Sequence, residues 1–262
     1  MNNKNDNLGD RMKGYEAASR HVLPGRLPVI CRVDGKAFHT YTKGLTKTPG
    51  VAYDENLEEV MNVTAQKLCE EIQGAQMAYV QSDEISILIH GYKKFTSQGW
   101  FDNKVMKMVS VSAALASATF TLESPRIWGF TDEGEYFPNH KPAYFDSRVF
   151  VLPESDVCNY FIWRQQDATR NSVQMLARSL YSHKECNNKN GSQLQEMTFS
   201  KGRNWNDEPT SFKRGRCIVR KIENVQVPPG KIVIRSRWVV DNEIPVFTVD
   251  RTYIDAHLIC EK

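Results

Sequence analysis

No two cysteines in this 262-residue sequence are spaced as CxxC, and the six present, Cys31, Cys69, Cys158, Cys186, Cys217 and Cys260, are scattered. Such spacing excludes a zinc ribbon and argues against the disulfide framework of a small secreted domain. His183 and Cys186 make a lone HxxC without a second ligand pair, which reads as an ordinary polar helix end. Long apolar runs are lacking too. The longest, Val109 to Phe120, is interrupted by Ser110, Ser112, Ser117 and Thr119 and falls short of the roughly 20 residues a membrane-spanning helix needs. The leader MNNKNDNLGD has no apolar signal-peptide stretch, so the expected location is cytoplasmic and no membrane partner is expected. Charge of one sign is also scarce. The 34 basic and 31 acidic residues leave +3, too little by itself to imply a nucleic-acid partner.

What is present is an ordinary globular composition, with 40% hydrophobic and 25% charged residues and no internal repeat. The chain is long enough to bury a substantial core, as one large domain or a domain with a sizeable appendage. Its basic residues are grouped: Lys104 with Lys107, Lys201 with Arg203, and Lys213, Arg214, Arg216, Arg220 and Lys221. Any one group is ordinary surface charge; their number suits a phosphate-rich partner.

Hydrophobic spacing predicts the elements. Leu8, Met12, Tyr15 and Ala18 give a first helix to about Arg20, and the run Leu27 to Val33 gives a buried strand that stops at Asp34-Gly35. Leu57, Val60, Met61, Leu68 and Ile72 mark a core-packed helix closed by Gly74. Met77 to Val80 and Ile85 to Ile89 form a hairpin whose tip is Gln81-Ser82-Asp83-Glu84. A further helix from Phe101 to Thr119 and a strand from Ser147 to Leu152 complete the order βαββαβ. That order predicts an α+β fold, a ferredoxin-like sheet with two helices on one face, the form of a polymerase palm. A long helix from about Asp156 to His183 follows, then a polar, mobile excursion over 187–209 and strands at Gly215 to Lys221, Lys231 to Val240 and Val246 to Val249, with a turn at Pro228-Pro229-Gly230. The expected division is a palm-like catalytic domain over 1–152 and a helical and β region packed on it over 153–262.

On this fold Asp34 and Asp83 emerge at the ends of the two central strands. Polymerase-type transfer uses two divalent cations about 4 Å apart, which lower the pKa of the attacking hydroxyl and neutralise the phosphate. Two carboxylates and the Gly35 carbonyl are hard oxygen donors of the kind magnesium takes. Alone, Asp-Gly is a turn signal and Ser-Asp-Glu a hairpin tip.

Together, Asp34-Gly35-Lys36-Ala37-Phe38-His39 after a buried strand and Gln81-Ser82-Asp83-Glu84-Ile85-Ser86 at a hairpin resemble the paired signature of the tRNA-histidine guanylyltransferase superfamily. Leu8-Gly9-Asp10-Arg11-Met12-Lys13, Phe145-Asp146-Ser147-Arg148 and Trp163-Arg164-Gln165-Gln166-Asp167-Ala168 continue the resemblance to about residue 220. The resemblance implies that Asp34, the Gly35 carbonyl and Asp83 bind two Mg2+ ions, with Glu84 beside them as a catalytic carboxylate or an orienting one. It implies that the backbone of Gly35, Lys36, Ala37, Phe38 and His39 wraps a nucleoside triphosphate. Arg32, Lys47, Lys104 and Lys107 fall at positions that contact triphosphate or the activated RNA end, and Ser82 and Asn171 at positions that reach phosphate or base. His39 equally suits a bond to a backbone carbonyl. ATP and GTP are the implied substrates, tRNA the partner, and a homotetramer the assembly.

One departure matters. Eukaryotic members that add an untemplated G to histidine tRNA carry His-Ile-Asn in the long helix, where this chain reads Thr169-Arg170-Asn171. That resembles the bacterial and archaeal guanylyltransferase-like 3′-to-5′ polymerases, which repair truncated tRNA 5′ ends by copying the opposite strand. The implied reaction adenylylates or guanylylates a 5′-monophosphorylated RNA, then lets the 3′ hydroxyl of an incoming nucleotide displace the leaving mononucleotide. The alternatives are untemplated guanylylation of histidine tRNA and a palm-type nucleotidyl cyclase, whose Gly-Gly-acid-acid-Phe turn is absent. A noncatalytic RNA-binding sheet lacks its aromatic stacking signature.

Overall fold

From Val29 to Gly35 the side chains alternate between two buried faces, as a strand covered on both sides requires. The computed structural model describes residues 7–42, 51–92, 94, 96–129, 141–227 and 231–258. Before this strand, β1 (Val29–Gly35), lies α1 (Asn7–Ala18); after it come the short α2 (Phe38–Tyr41) and α3 (Glu55–Glu71). Asp54 caps α3, its carboxylate accepting from the Leu57 N–H at 2.8 Å, which satisfies a donor that the first helical turn leaves open. The strands β2 (Ala75–Gln81) and β3 (Glu84–Ile89) form a tight hairpin through Ser82 and Asp83, Ser82 taking φ 46°. Then follow α4 (Val105–Trp128), β4 (Phe145–Val151) and α5 (Glu154–Leu180). The βαββαβ order expected from the spacing is present.

All pairings in the six-stranded sheet, ordered β4-β1-β3-β2-β5-β6, are antiparallel, with β5 (Arg216–Val227) and β6 (Lys231–Asp241) continuing it beyond β2. Residues after Val151 thus supply two strands of the same sheet as well as a helical layer. One face carries Cys31, Val33, Val80, Ile85 and Ile87 against α3 and α4. The other carries Ile30, Met77, Tyr79 and Leu88 against Val157 and Phe161 of α5. α4 has the length and apolarity of a membrane span, because the run from Val109 sits inside a longer helix than that run alone suggests; Met108, Ser112, Ala116 and Phe120 nevertheless make a buried stripe at helical spacing.

Two expectations are corrected. The 187–209 segment is no excursion: after α6 (His183–Cys186) it forms α7 (Gly191–Ser200), started by a reciprocal capping box between Asn190 and Gln193. α7 buries Leu194 against Val173 and Ala177 of α5. Nor do Val246 to Val249 form a strand. They turn, with the N–H of Val249 bonded to the Val246 carbonyl at 2.8 Å, so that Phe247 fills the core beside Tyr79 and Tyr253. The Gln165 amide satisfies that turn from both sides, donating to the Pro245 carbonyl at 2.9 Å and accepting from the Phe247 N–H at 2.8 Å. The turn Pro228-Pro229-Gly230 lies outside the described residues. Short helices α8 (Thr210–Arg214) and α9 (Thr252–Asp255) complete the chain.

Gly202 and Gly215 share φ +78°, but a Cβ on Gly202 meets open space whereas one on Gly215 comes within 2.6 Å of the Tyr79 hydroxyl oxygen and 2.7 Å of the Val80 carbonyl. Gly202→Ala is expected to cost about 1–2 kcal/mol, the left-handed penalty alone. Gly215→Ala is expected to cost a further 1–3 kcal/mol, roughly, from overpacking. Urea denaturation of the two variants checks this; equal losses would mean that the contact at Gly215 relaxes freely.

Candidate active site

The strand register assembles the polar face. Asp34 on β1 lies directly opposite Glu84 on β3 and Asp146 on β4, while Arg32, two residues earlier on the same face, lies between Ser86 and Arg148. A row of carboxylates therefore borders a row of guanidinium groups, and Arg148 bridges them with a 3.1 Å bond to Asp146. Asp83 joins from the β2–β3 turn, its carbonyl accepting from the Gly35 N–H at 3.0 Å. That bond ties the end of β1 to the hairpin and sets the two aspartates side by side.

Gly35 is required here by sterics, since a Cβ would lie 2.4 Å from the Phe38 ring. Phe38 is buried among Tyr41, Phe120 and Phe145 with ring centroids 5.0–5.2 Å away, so its side chain anchors the loop and only its backbone faces the site. Ala37 holds φ 55° and turns the chain into α2, whose first N–H groups have no acceptor within the helix. The Lys36 N–H is committed to the Tyr144 carbonyl at 2.8 Å, and the Lys36 and His39 side chains are exposed.

Like charges and burial raise the proton affinity of both aspartates. Asp34 is shifted upward by burial first and by Asp146 second, against the opposing pull of Arg32, Arg148 and Arg164. Asp83 is pushed up to about 6 by burial, with Asp34 and Glu84 adding to the effect. The Arg164 guanidinium grips both oxygens of Glu84, at 2.7 and 2.9 Å. Arg32 keeps its Nε buried without a hydrogen-bond partner among the described residues, an orphan donor of the kind that calls for an explanation.

Among the described residues no three of His, Cys, Asp and Glu converge into a ready-made metal cage. Two carboxylates and a carbonyl fit Mg2+ all the same, since that ion is commonly held by one or two carboxylates and completed by substrate phosphate and water.

Two cavities flank α5. The larger, about 180 Å3, is lined by Arg178, His183, Cys186 and Lys189, toward the end of α5 remote from the carboxylates. The smaller, about 80 Å3, borders the catalytic hairpin and is lined by Tyr53, Leu57, Ser82, Asn171, Phe212 and Arg216. Tyr53 and Phe212 stack at 4.9 Å to give it an aromatic wall. Of the two, the smaller reaches the hairpin tip, through Gln81 and Ser82.

The candidates divide accordingly. Asp34, Gly35, Asp83, Glu84, Arg32 and Ser82 converge, Lys36, Ala37, Phe38 and His39 follow directly on β1, and Asn171 meets Ser82 across the smaller cavity. Lys104 and Lys107 do not converge: β3 runs down from the hairpin, so α4 starts at the opposite end of the sheet, roughly 20 Å from Asp34 by strand length. There Lys104 pairs with Asp102 at 2.8 Å and Lys107 lies over the Phe101 ring. Lys47 lies outside the described residues. Sequence reasoning missed Asp146, Arg148 and Arg164 as members of the site. A signal for the first two was there: Arg32-x-Asp34 and Asp146-x-Arg148 have mirrored order, and antiparallel pairing sets like beside like.

Residues 9–153 match the tRNAHis guanylyltransferase family. A solved bacterial tRNA(His) guanylyltransferase-like protein in complex with ATP is 43% identical, with a TM-score of 0.84, over 97% of this chain and 100% of that one. A structure of such a bacterial protein with GTP is 42% identical with a TM-score of 0.77, over 97% and 99%. The tRNA(His) guanylyltransferase of Saccharomyces cerevisiae is 28% identical over 220 residues, 79% of this chain and 87% of its own length.

Asp83 also makes the metal-free protein sensitive to pH. Its folded-state value, about 6, lies above that of the unfolded chain, so the stability its protonated form contributes is present below about pH 4 and is lost as pH rises through about 6. Asp83→Asn, neutral throughout, is therefore expected to stabilise the metal-free protein at pH 7.5 by roughly 1 kcal/mol, about 2–4 °C in Tm. At pH 4 the gain should vanish. Thermal melts in chelator at the two pH values check this, and a variant no more stable than the parent at pH 7.5 would count against it.

Proposed function

Because this chain belongs to the tRNAHis guanylyltransferase family, whose members are nucleotidyltransferases, we propose that it extends the 5′ end of tRNA in the 3′-to-5′ direction and selects each nucleotide by pairing with the opposite strand. The observation that carries the chemistry is the bond from the Gly35 N–H to the Asp83 carbonyl, which seats Asp34 and Asp83 together at the end of the central strands. Thr169-Arg170-Asn171 in place of His-Ile-Asn, and the likeness to bacterial guanylyltransferase-like proteins with bound ATP and GTP, support the templated reading and ATP and GTP as substrates. Homotetrameric assembly in the cytoplasm belongs to the same reading.

In the first step a 5′-phosphate oxygen of the RNA attacks the α-phosphorus of ATP and pyrophosphate leaves. In the second, the 3′ hydroxyl of the incoming nucleoside triphosphate attacks the activated 5′ phosphorus and AMP leaves. Asp34, Asp83 and the Gly35 carbonyl would hold two Mg2+ ions, which supply charge neutralisation and a more acidic attacking hydroxyl when bound. The chain's own part is orientation. The N–H groups that open α2 face phosphate oxygens, and a phosphate beside Arg32 and Arg148 gives the orphan Arg32 Nε its acceptor. Tyr53 and Phe212 offer the nucleobase an apolar wall, with Ser82 and Asn171 at the rim to orient it by hydrogen bonds.

Two outcomes are expected. Asp34→Ala should abolish both activation and nucleotide addition while the protein stays folded, as judged by circular dichroism beside a pyrophosphate-release assay; transfer at the parent rate would remove Asp34 from the site. With a 5′-monophosphorylated tRNA lacking its first nucleotide, changing the opposing acceptor-stem base from C to A should switch incorporation from G to U, whatever the anticodon. Sequencing of the extended 5′ end reads the result, and G added opposite either base would favour untemplated guanylylation.

A further inference from the structure

Glu84 follows Asp83 directly and faces Asp34 across the ladder, yet its carboxylate is buried and engaged at both oxygens by a guanidinium. Arg164 Nε donates to Oε1 at 2.7 Å and Nη2 to Oε2 at 2.9 Å. Ser86 Oγ, itself 2.8 Å from the Tyr160 hydroxyl, adds a bond of 3.3 Å to Oε1. Arg164 is only 6% exposed. Its guanidinium also donates to Asp167 at 2.8 Å and lies 4.4 Å from the Trp163 ring centroid, and Asp167 in turn accepts from Arg170 at 3.0 Å.

An ion pair buried this deeply is a poor source of net stability, since desolvation offsets most of the Coulomb attraction and an apolar pair of the same volume often serves as well. Its position gives it another use. Three adjacent carboxylates, Asp34, Asp83 and Glu84, can compete for the same cations, and a cation drawn to the wrong pair sits away from the reacting phosphate. A planar guanidinium occupies both oxygens of one carboxylate at fixed angles, which a lysine ammonium cannot do.

We propose that Arg164 is a positioning residue that holds Glu84 out of the metal-ligand set, so that the divalent cations fall to Asp34, Asp83 and the Gly35 carbonyl alone. The proposal rests on the reading that Asp34 and Asp83 bind those cations. The rest of the chain on α5 serves the fork: Asp167 accepts from the same Nη2 that donates to Glu84, and Trp163 covers the guanidinium's face. Because Ala168 and Asn171, one and two turns further along α5, line the cavity beside Ser82, the clamp also keeps that cavity in register with the hairpin.

The test uses Mn2+ as the probe in the full-length protein, with bound ions measured by electron paramagnetic resonance, beside kcat and nucleotide KM for 5′ addition in Mg2+. Arg164→Met frees Glu84 and removes a positive charge, so Mn2+ affinity is expected to rise at least about threefold, while kcat falls about a hundredfold at nearly constant nucleotide KM. Structural damage would instead lower affinity and rate together. In Arg164→Met/Glu84→Gln the stray carboxylate is neutral, and Mn2+ affinity should return to within about threefold of the parent. Arg164→Lys carries the test if the Met variant does not fold, with kcat expected to fall at least about tenfold at constant KM. The proposal is overturned by weaker Mn2+ binding in Arg164→Met, by parent-like affinity and kcat in that variant or parent-like kcat in Arg164→Lys, or by a double variant that loses Mn2+ as completely as Asp34→Asn. Asp34→Asn and Asp83→Asn are run alongside. Parent-like Mn2+ binding in those two would overturn the metal assignment itself, whereas their loss of binding beside an unchanged Arg164→Met would overturn only the role given to Arg164.

Discussion

Carboxylates that share a small volume repel one another, and the β1–β3–β4 ladder is what keeps Asp34, Glu84 and Asp146 abreast despite that repulsion. The ladder can do so because apolar positions flank it on both faces: Cys31, Val33, Ile85 and Ile87 toward α3 and α4, and Ile30 and Leu88 toward α5. Burial of such side chains contributes on the order of 1.5–3 kcal/mol each, enough in sum to hold a handful of acids where they would not sit by themselves. The residual cost is visible in the raised proton affinities of Asp34 and Asp83. Cations bound between them would relieve it, so the part of the molecule least comfortable alone is the part that a cation would most stabilise.

The positive charges around the site are graded by how much water they have surrendered. Arg164 is buried and fully engaged, Arg32 is partly buried with one donor idle, and Arg148 is bonded to Asp146 but about half exposed. In a buried, low-dielectric setting a guanidinium acts on its immediate neighbour with little screening, while an exposed one acts weakly and depends on salt. The first suits fixed architecture, the second suits a phosphate that arrives and leaves. Arg216 repeats the buried pattern on the far side of the hairpin, bonded to Asn62 and to the Glu58 carbonyl, and it supports the cavity floor from beneath.

Local rules made much of this legible. Short apolar, β-branched runs marked β1 to β4, helical spacing marked α3 to α5, and two aspartates at neighbouring strand ends suggested their shared purpose. What escaped were relations that depend on register and direction. Nothing in the residues around Glu84 or Arg164 announces that the two will meet, because the pairing arises from α5 crossing the second face of the sheet. The placement of Lys104 and Lys107 escaped for a similar reason: their type suited phosphate, but the direction of β3 sets them apart from Asp34 within one chain. The 187–209 segment misled through composition, since Asn190, Gly191 and Gln193 look like loop residues singly and act as a helix start together.

The outer margin of the sheet bears on how the protein behaves at high concentration. β6 is the last strand in the order and pairs only with β5 among the described residues, so its outer margin has no strand partner there, although the Trp238 carbonyl accepts from Gln66 Nε2 at 3.1 Å. Such a margin invites an identical strand from another molecule and so seeds aggregates. Here Arg235 and Arg237 are exposed along it, Arg237 paired with Glu223 at 3.0 Å, and two copies approaching edge to edge would each bring charged, hydrated side chains. The strand that extends the fold is thereby also fitted to discourage its indefinite continuation.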